Sequence, residues 1–349
     1  MDRIVRGPRG DNPLIREVWA YNLDHEIIRL DRCLLSYSIM SIDTEFPGCI
    51  KRTPWGTFDE ELYADFRFNV NQTKVIQLGV TVSDESGNIG GTWEFNFSDF
   101  DPEIDAHNPA SICFLKQNGL DFGKLKKDGI KVRKFAIRFL YTLGKHAIYR
   151  WVTFHGLYDI GYLMLAMGVV KSLPETLGEF KWIVARRVGT VRDLKHMARF
   201  CEGLEGGNLG LEKLGQLLDQ KRFGLKHHAG SDSLMTALLH EKMLQRYDFH
   251  AEICDGFLYG LSKKFEELVG LQTHRIYVQI QCARVKAMVI HKKMLQLFEV
   301  ESCNEYELSK KLKEFEVLKS HFKFVEHEYE TAQFCYYKAC NIMYQGFHL

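Results

Sequence analysis

Ten residues, Tyr37–Phe46 (YSIMSIDTEF), form a short apolar run ended by Pro47-Gly48. The run is too short for a typical helix and is closed by turn residues, so it reads as a buried strand. Its last residues carry Asp43 and Glu45, two apart. Side chains at i and i+2 of a strand share a face, so both carboxylates project together. Two like charges at a buried strand end are costly unless a cation or a proton neutralises them. An Asp-x-Glu pair by itself is common, and an exposed strand end with no function explains it equally well.

The surrounding pattern sets the fold class. Val75–Val82 (VIQLGVTV) and Thr92–Phe97 (TWEFNF) read as strands joined by turn chemistry, SDESGNIGG, and so as a hairpin. A helix around Lys131–Leu143 leads to a fourth strand, Tyr149–His155. Apolar spacing predicts further helices over Ile15–Leu34, Tyr158–Met167, Asp193–Phe200, Leu211–Leu218 and Ser231–Gln245. Strands first and helices after, with one crossover, point to an α/β mixed sheet flanked by helices. Residues 1–12 read as a mobile polar leader. After about Leu261 the character changes. Residues 262–349 have few glycines and no proline, and Leu308, Leu312, Phe315, Leu318, Phe322, Val325 and Tyr329 form one apolar stripe. That is a packed or coiled-coil-like helix, either folded back on the domain or facing a partner.

Composition excludes some functions. With 46% apolar residues the chain can bury a core, and a net charge of +1 rules out nucleic-acid binding through bulk charge. Any such binding must come from a local groove. Nine cysteines, an odd number with no Cys-x-x-Cys, read as reduced and mostly buried thiols. The N-terminus lacks the apolar core of a signal peptide, and no run of about 18 apolar residues is present. An intracellular soluble protein is the expectation.

Two more acids begin predicted helices. Asp159 lies in FHGLYDIGYLML, and Asp232 in HHAGSDSLMTALLHEKM. Each has an ordinary explanation: Asp159 as an N-cap, Asp232 as a first-turn acid behind a Ser231 cap. Asp193 likewise reads as a helix cap. Taken with Asp43 and Glu45, however, Asp159 and Asp232 match the oxygen-rich cage that a pair of magnesium ions needs, at about 3.5–4 Å spacing. A histidine near neutrality can take the proton of an attacking water. His227 and His228 both precede Asp232, and spacing does not choose between them.

SIDTEFPG, FHGLYDIGYLML and HHAGSDSLMTALLHEKM, in this order, resemble the three motifs of the DEDDh exonucleases. The Pro-Gly, Tyr-Asp-x-Gly-Tyr-Leu and His-x-Ala-Gly-Ser-Asp-Ser-Leu details resemble the CCR-associated-factor (Pop-type) deadenylases. EVWAYNLDHEI, VIQLGVTVSD, TWEFNF and FLYGL extend the likeness over about Ile15 to Leu261. It implies a ribonuclease-H-like mixed sheet over residues 13–262; residues 263–349, a mainly helical extension by their apolar spacing, match nothing in the family. It also implies magnesium or manganese, two ions in all, and removal of mRNA poly(A) from the 3′ end as adenosine monophosphate. Asp43, Glu45, Asp159 and Asp232 become the implied metal ligands. The family histidine stands five residues before the last aspartate, which selects His227 as general base; His228 stands where most relatives carry Gln. Leu157 and Asn208-Leu209 are further departures. Implied partners are a scaffold subunit of the CCR–NOT complex and a second deadenylase, in cytoplasm and nucleus.

Single-stranded nucleic acid is held by aromatic stacking and a basic groove, so Phe46 and His155, beside the acidic motifs, are expected to border the terminal nucleotide. Phe154 is expected mainly in packing. Two other classes compete: a non-catalytic adaptor of the same complex, and a DNA-directed proofreading exonuclease.

Overall fold

The computed structural model describes residues 15–54, 57–146, 148, 150–247 and 251–261. The expected leader and the stripe from Leu308 to Tyr329 lie outside these residues. The chain divides into two compact units, Met1–Lys263 and Lys264–Leu349, and the description below concerns the first.

The first unit opens with a correction. Arg16–Val18 is a strand, β1, and helix α1 spans only Leu23–Cys33, where one helix over Ile15–Leu34 was expected. The side chain of Asn22 explains the break. Its Oδ1 accepts from the Trp19 N–H (2.7 Å) and its Nδ2 donates to the Glu17 carbonyl (3.0 Å), which closes a turn. Strand pairing then overrides the helical spacing, because β1 finds an open sheet edge to bind.

The remaining elements follow in order. Strand β2 (Ile39–Glu45) and helix α2 (Asp59–Gln72) lead to the expected hairpin, β3 (Gln77–Ser83) and β4 (Ile89–Asn96). Asp84 builds its turn, accepting the Ser86 and Asn88 N–H groups at 2.9 Å each. Helices α3 (Pro109–Gln117), α4 (Phe122–Asp128) and α5 (Val132–Leu143) precede β5 (Arg150–Thr153). Helices α6 (Leu157–Ala166) and α7 (Leu177–Ile183) precede β6 (Val191–Asp193). Helices α8 (Leu194–Met197), α9 (Leu211–Leu217) and α10 (Ala229–Arg246) complete the unit. None of the described helices is long and apolar enough to cross a membrane.

The six strands form one mixed sheet, ordered β1-β4-β3-β2-β5-β6, flanked by helices as expected. Its period-2 alternation separates two cores. Met40, Ile42, Val80, Val82, Trp93 and Phe95 pack with α1, α2, α5 and α6 on one face. Ile39 and Val152 pack with α8, α9 and α10 on the other. By that alternation Ser41, Asp43 and Glu45 share the α10 face, while Thr44 turns toward α6.

Helix α10 lies unusually close to the sheet at its start. A Cβ on Gly79 would stand 1.8 Å from the Ala229 carbonyl oxygen, so only glycine fits there. Thr81 Oγ1 and Ser233 Oγ are 3.0 Å apart one turn further on. Small side chains on both surfaces therefore bring the N-terminus of α10 against β2 and β3. Of the five described cysteines, Cys201 and Cys254 are buried, Cys33 and Cys49 partly so, and Cys113 is exposed.

Candidate functional site

The close approach of α10 carries Asp232 to the end of β2, where Asp43 and Glu45 already share a face. Asp159 arrives from the other side. It does not cap its helix, which begins at Leu157 after an N-cap at Gly156. Its Oδ1 instead accepts from the Thr44 N–H (2.9 Å) and the Thr44 hydroxyl (2.6 Å), between the two strand acids. The expected Ser231 cap is also absent. Helix α10 begins at Ala229, and Ser231 Oγ donates to the Phe223 carbonyl at 2.8 Å. The sheet satisfies the free amides: Ala229 N–H donates to Gln77 Oε1 (3.3 Å) and Gly230 N–H to Glu94 Oε2 (3.0 Å).

Convergence shows in the electrostatics. Burial, then Asp159, Asp232 and Glu45, hold the Asp43 carboxyl well above the usual carboxylate range. Glu45 is pushed up to about 8, by burial first and then by Asp232. Asp159 rises to about 7, again mainly through burial, against the two Thr44 hydrogen bonds and with Asp193 and Asp232 adding to the rise. Burial raises Asp232 too, opposed by Arg222. The Arg222 guanidinium bonds Asp232, Ser231 Oγ (2.9 Å) and Glu212 Oε2 (2.9 Å). Asp43, Glu45 and Asp159 make no ion pair among the described residues. Acids in this condition need protons or an added cation.

The donor set fits a hard divalent ion, which prefers carboxylate oxygens. Glu45, Asp232 and His227 each offer one ligand atom, all within 4.8 Å of one another. Asp43 and Asp159 supply further oxygens in the same acidic cluster.

The two neighbouring histidines diverge. His227 has φ 58°, a conformation that non-glycine residues rarely adopt. Its ring lies with the acids and meets Phe114 edge-on at 4.6 Å between centroids. His228 turns toward α3: its Nε2 is 3.0 Å from the Asn118 carbonyl and its Nδ1 3.7 Å from Glu94. Glu94 chiefly raises its pKa to about 8. The geometry therefore separates two residues that spacing alone left equivalent.

Phe46, directly after the acidic pair, is half-buried. Its ring stacks on Tyr158 (5.0 Å, 8°) and lies 5.0 Å from Tyr162, packed against the core. Phe154 packs with the α8–α10 core. His155 is exposed at the end of β5, at φ 61°. Leu157 fills the core, so that departure is a packing residue.

Two residues escaped the sequence reading. Arg222 holds Asp232, but a lone arginine in a loop carries no signal of that role. Asp193 does cap α8 through the Lys195 N–H, yet it also accepts from His155, Gly156 and Tyr259 N–H groups, each at 2.9–3.0 Å. Those extra partners are distant in sequence, so the ordinary cap reading concealed them.

Comparison with known proteins follows the same lines. Residues 18–135 match the model of the CAF1 family ribonucleases. The chain is 42% identical over 255 residues to probable CCR4-associated factor 1 homolog 1 of Arabidopsis thaliana, covering 72% of this chain and 69% of that one. It is 45% identical over 219 residues to putative homolog 8 of the same plant, covering 62% of this chain and 90% of the relative. Pop2p of S. pombe, solved with Mg2+ and Mn2+ bound, superposes with TM-score 0.64 at 33% identity, covering 71% of this chain and 99% of Pop2p. Yeast CAF1, co-crystallised with the NOT1 MIF4G domain, gives TM-score 0.60 at 26% identity, covering 73% of this chain and 100% of that one. With its sheet, its acidic motifs and these relatives in agreement, the chain belongs to the CAF1 family of ribonucleases, within the DEDDh exonucleases.

Proposed function

We propose that this ribonuclease removes poly(A) tails from mRNA, working 3′ to 5′ and releasing adenosine monophosphate. The observation that carries the reading is the meeting of Asp43, Glu45, Asp159 and Asp232 beside His227, from three separate segments of the chain. These four acids would hold two divalent ions, magnesium or manganese; the relative Pop2p, solved with both metals, supports that choice. Such ions, when bound, favour attack on phosphorus and stabilise the departing oxygen.

The protein's own groups have distinct tasks. His227 takes the proton of the attacking water as general base. Arg222 keeps Asp232 oriented toward the cluster, and Thr44 does the same for Asp159. The Glu94, Gln77 and α10 amide contacts fix the helix end that presents Asp232. Docking on a NOT1-type scaffold is supported by the co-crystallised yeast relative. Pairing with a second deadenylase, in cytoplasm and nucleus, belongs to the same proposal.

The test is direct. Purified protein with Mg2+ or Mn2+ is incubated with end-labelled RNA bearing a 3′ oligo(A) tail, and with matched oligo(U) and oligo(C) tails. Shortening of the oligo(A) tail, lost in Asp43→Ala while the fold survives, is the expected result. A folded protein inert on every tail and in both metals would leave a non-catalytic adaptor role in its place.

A further inference from the structure

The sheet edge that carries Asp43 presents a second group of side chains that the chemistry above leaves unused. Strands β2, β5 and β6 run parallel, so their C-terminal ends lie side by side. At that edge Thr153 of β5 pairs with Asp193 of β6. Asp193 is fully buried. Its Oδ1 accepts from His155 N–H (2.9 Å) and Lys195 N–H (3.0 Å), and its Oδ2 from Gly156 N–H (2.9 Å) and Tyr259 N–H (3.0 Å). One carboxylate thus fixes three chain segments, and it is near enough to Asp159 to add to that residue's raised pKa.

The side chains those segments carry come together. The imidazole of His155 lies edge-on to the Tyr259 ring, centroids 5.1 Å apart at 88°. Lys195 Nζ lies 4.7 Å from the Tyr259 ring centroid and 5.9 Å from that of Phe154. The Tyr259 hydroxyl donates to Asn208 Oδ1 at 3.1 Å, which anchors the outer end of the ring. Asn208 is one of the chain's departures from its family's pattern.

Lys195 is half-buried, and among the described residues its ammonium has no ion pair and no hydrogen bond. Burial lowers its pKa, opposed by the charge of the Asp193 carboxylate, whose oxygens are already taken up by four main-chain N–H groups. The two rings stabilise the cation in part, but an ammonium drawn out of water is fully compensated only by an anion. A cation over aromatic rings, next to a phosphate-cleaving centre, matches the two needs of a single nucleic-acid strand: a charge for the backbone and a ring for a base.

We propose that Lys195, Tyr259 and His155 form a subsite for the RNA strand adjoining the carboxylate cluster. In it, Lys195 holds a backbone phosphate while Tyr259 and His155 face a base. Asp193 is the positioning residue that assembles the three. The assignment rests on the ribonuclease reading and deepens it.

The experiment combines steady-state cleavage of labelled oligo(A) with anisotropy of the same RNA in EDTA, where turnover stops. Lys195→Met is expected to raise both KM and Kd about tenfold and to leave kcat within about threefold, the pattern of lost ground-state binding. Losing one phosphate contact should also flatten the slope of log Kd against log salt by about 0.7. Lys195→Arg should restore most of the affinity and the slope. Tyr259→Leu keeps the main-chain bond to Asp193, and should raise KM about five- to tenfold with the slope unchanged, as loss of base stacking requires. A folded Lys195→Met protein with wild-type Kd and salt slope overturns the proposal. Should that variant not fold, wild-type affinity in Tyr259→Leu overturns it instead. Wild-type protein that binds oligo(A) but never cleaves it would sink the nuclease reading, while the Kd values still judge the subsite. Wild-type protein that fails to bind overturns the subsite itself.

Discussion

Glu45→Gln should make the metal-free protein more stable at pH 8 while abolishing its activity. The folded protein holds Glu45 near 8, against an ordinary 4.5. Between those values the folded state binds more protons than the unfolded chain, so stability falls as pH rises through that window. Each unit of pH costs about 1.4 kcal/mol for one such group, and three and a half units therefore cost about 4–5 kcal/mol by pH 8. Asp43 and Asp159 are raised as well, and the neighbours take up part of the proton balance when Glu45 loses its charge. The net relief in Glu45→Gln is then about 2 kcal/mol at pH 8, which for a unit of this size is a rise in Tm of about 4–8 °C. At pH 4.5 and below the wild-type side chain is already protonated, so the difference should shrink toward zero. Thermal melts in EDTA at pH 4.5, 6, 7 and 8 measure this directly. Adding Mg2+ at pH 8 should raise the wild-type Tm by mass action and the variant's far less. A variant that melts below wild type at pH 8, or by a margin independent of pH, would refute the description of a crowded, charge-starved acidic cluster.

Other outcomes follow from the same geometry. His227→Ala should lower kcat by about 10²–10⁴-fold with RNA affinity little changed, and a loss under threefold in single-turnover assays would remove it as general base. Gly79→Ala drives a methyl group into the Ala229 carbonyl, and should cost about 1–3 kcal/mol in denaturant melts while displacing Asp232 from Glu45 and reducing cleavage. Asp193→Ala strips four amides of their acceptor and should destabilise by about 3–5 kcal/mol, measured by urea unfolding; a loss under about 1 kcal/mol would contradict the clamp.

Much of this architecture is legible in the sequence. The four longer strands announced themselves as short apolar runs bounded by turn residues, and the mixed sheet followed from their order. The outermost strands β1 and β6 did not, since three residues are too few to impose a period, and the helical spacing of Ile15, Val18 and Trp19 pointed elsewhere. The acids of the site could be named, but their ordinary explanations could be dismissed only in space. Asp159 turns from its own helix to Thr44, 115 positions away. Ser231 does not cap α10 for a related reason: the acceptors for the first α10 amides sit on β3 and β4. Phe46 directly follows the acidic motif, but its packing on Tyr158 and Tyr162 is set by residues more than 100 positions away. Local chemistry thus narrows the candidates, and long-range pairing decides what each one touches.

The short strand β1 has a consequence for handling the protein. Among the described strands it is the one that pairs with β4 on that side of the sheet, through Arg16–Trp93, Glu17–Glu94 and Val18–Phe95. Trimming the N-terminus to Leu23 would leave the main-chain donors and acceptors of β4 bare beside the hydrophobic Trp93 and Phe95. Such an unpaired border recruits another copy's strand, so the shortened enzyme would be expected to self-associate and precipitate while its acidic cluster remained complete.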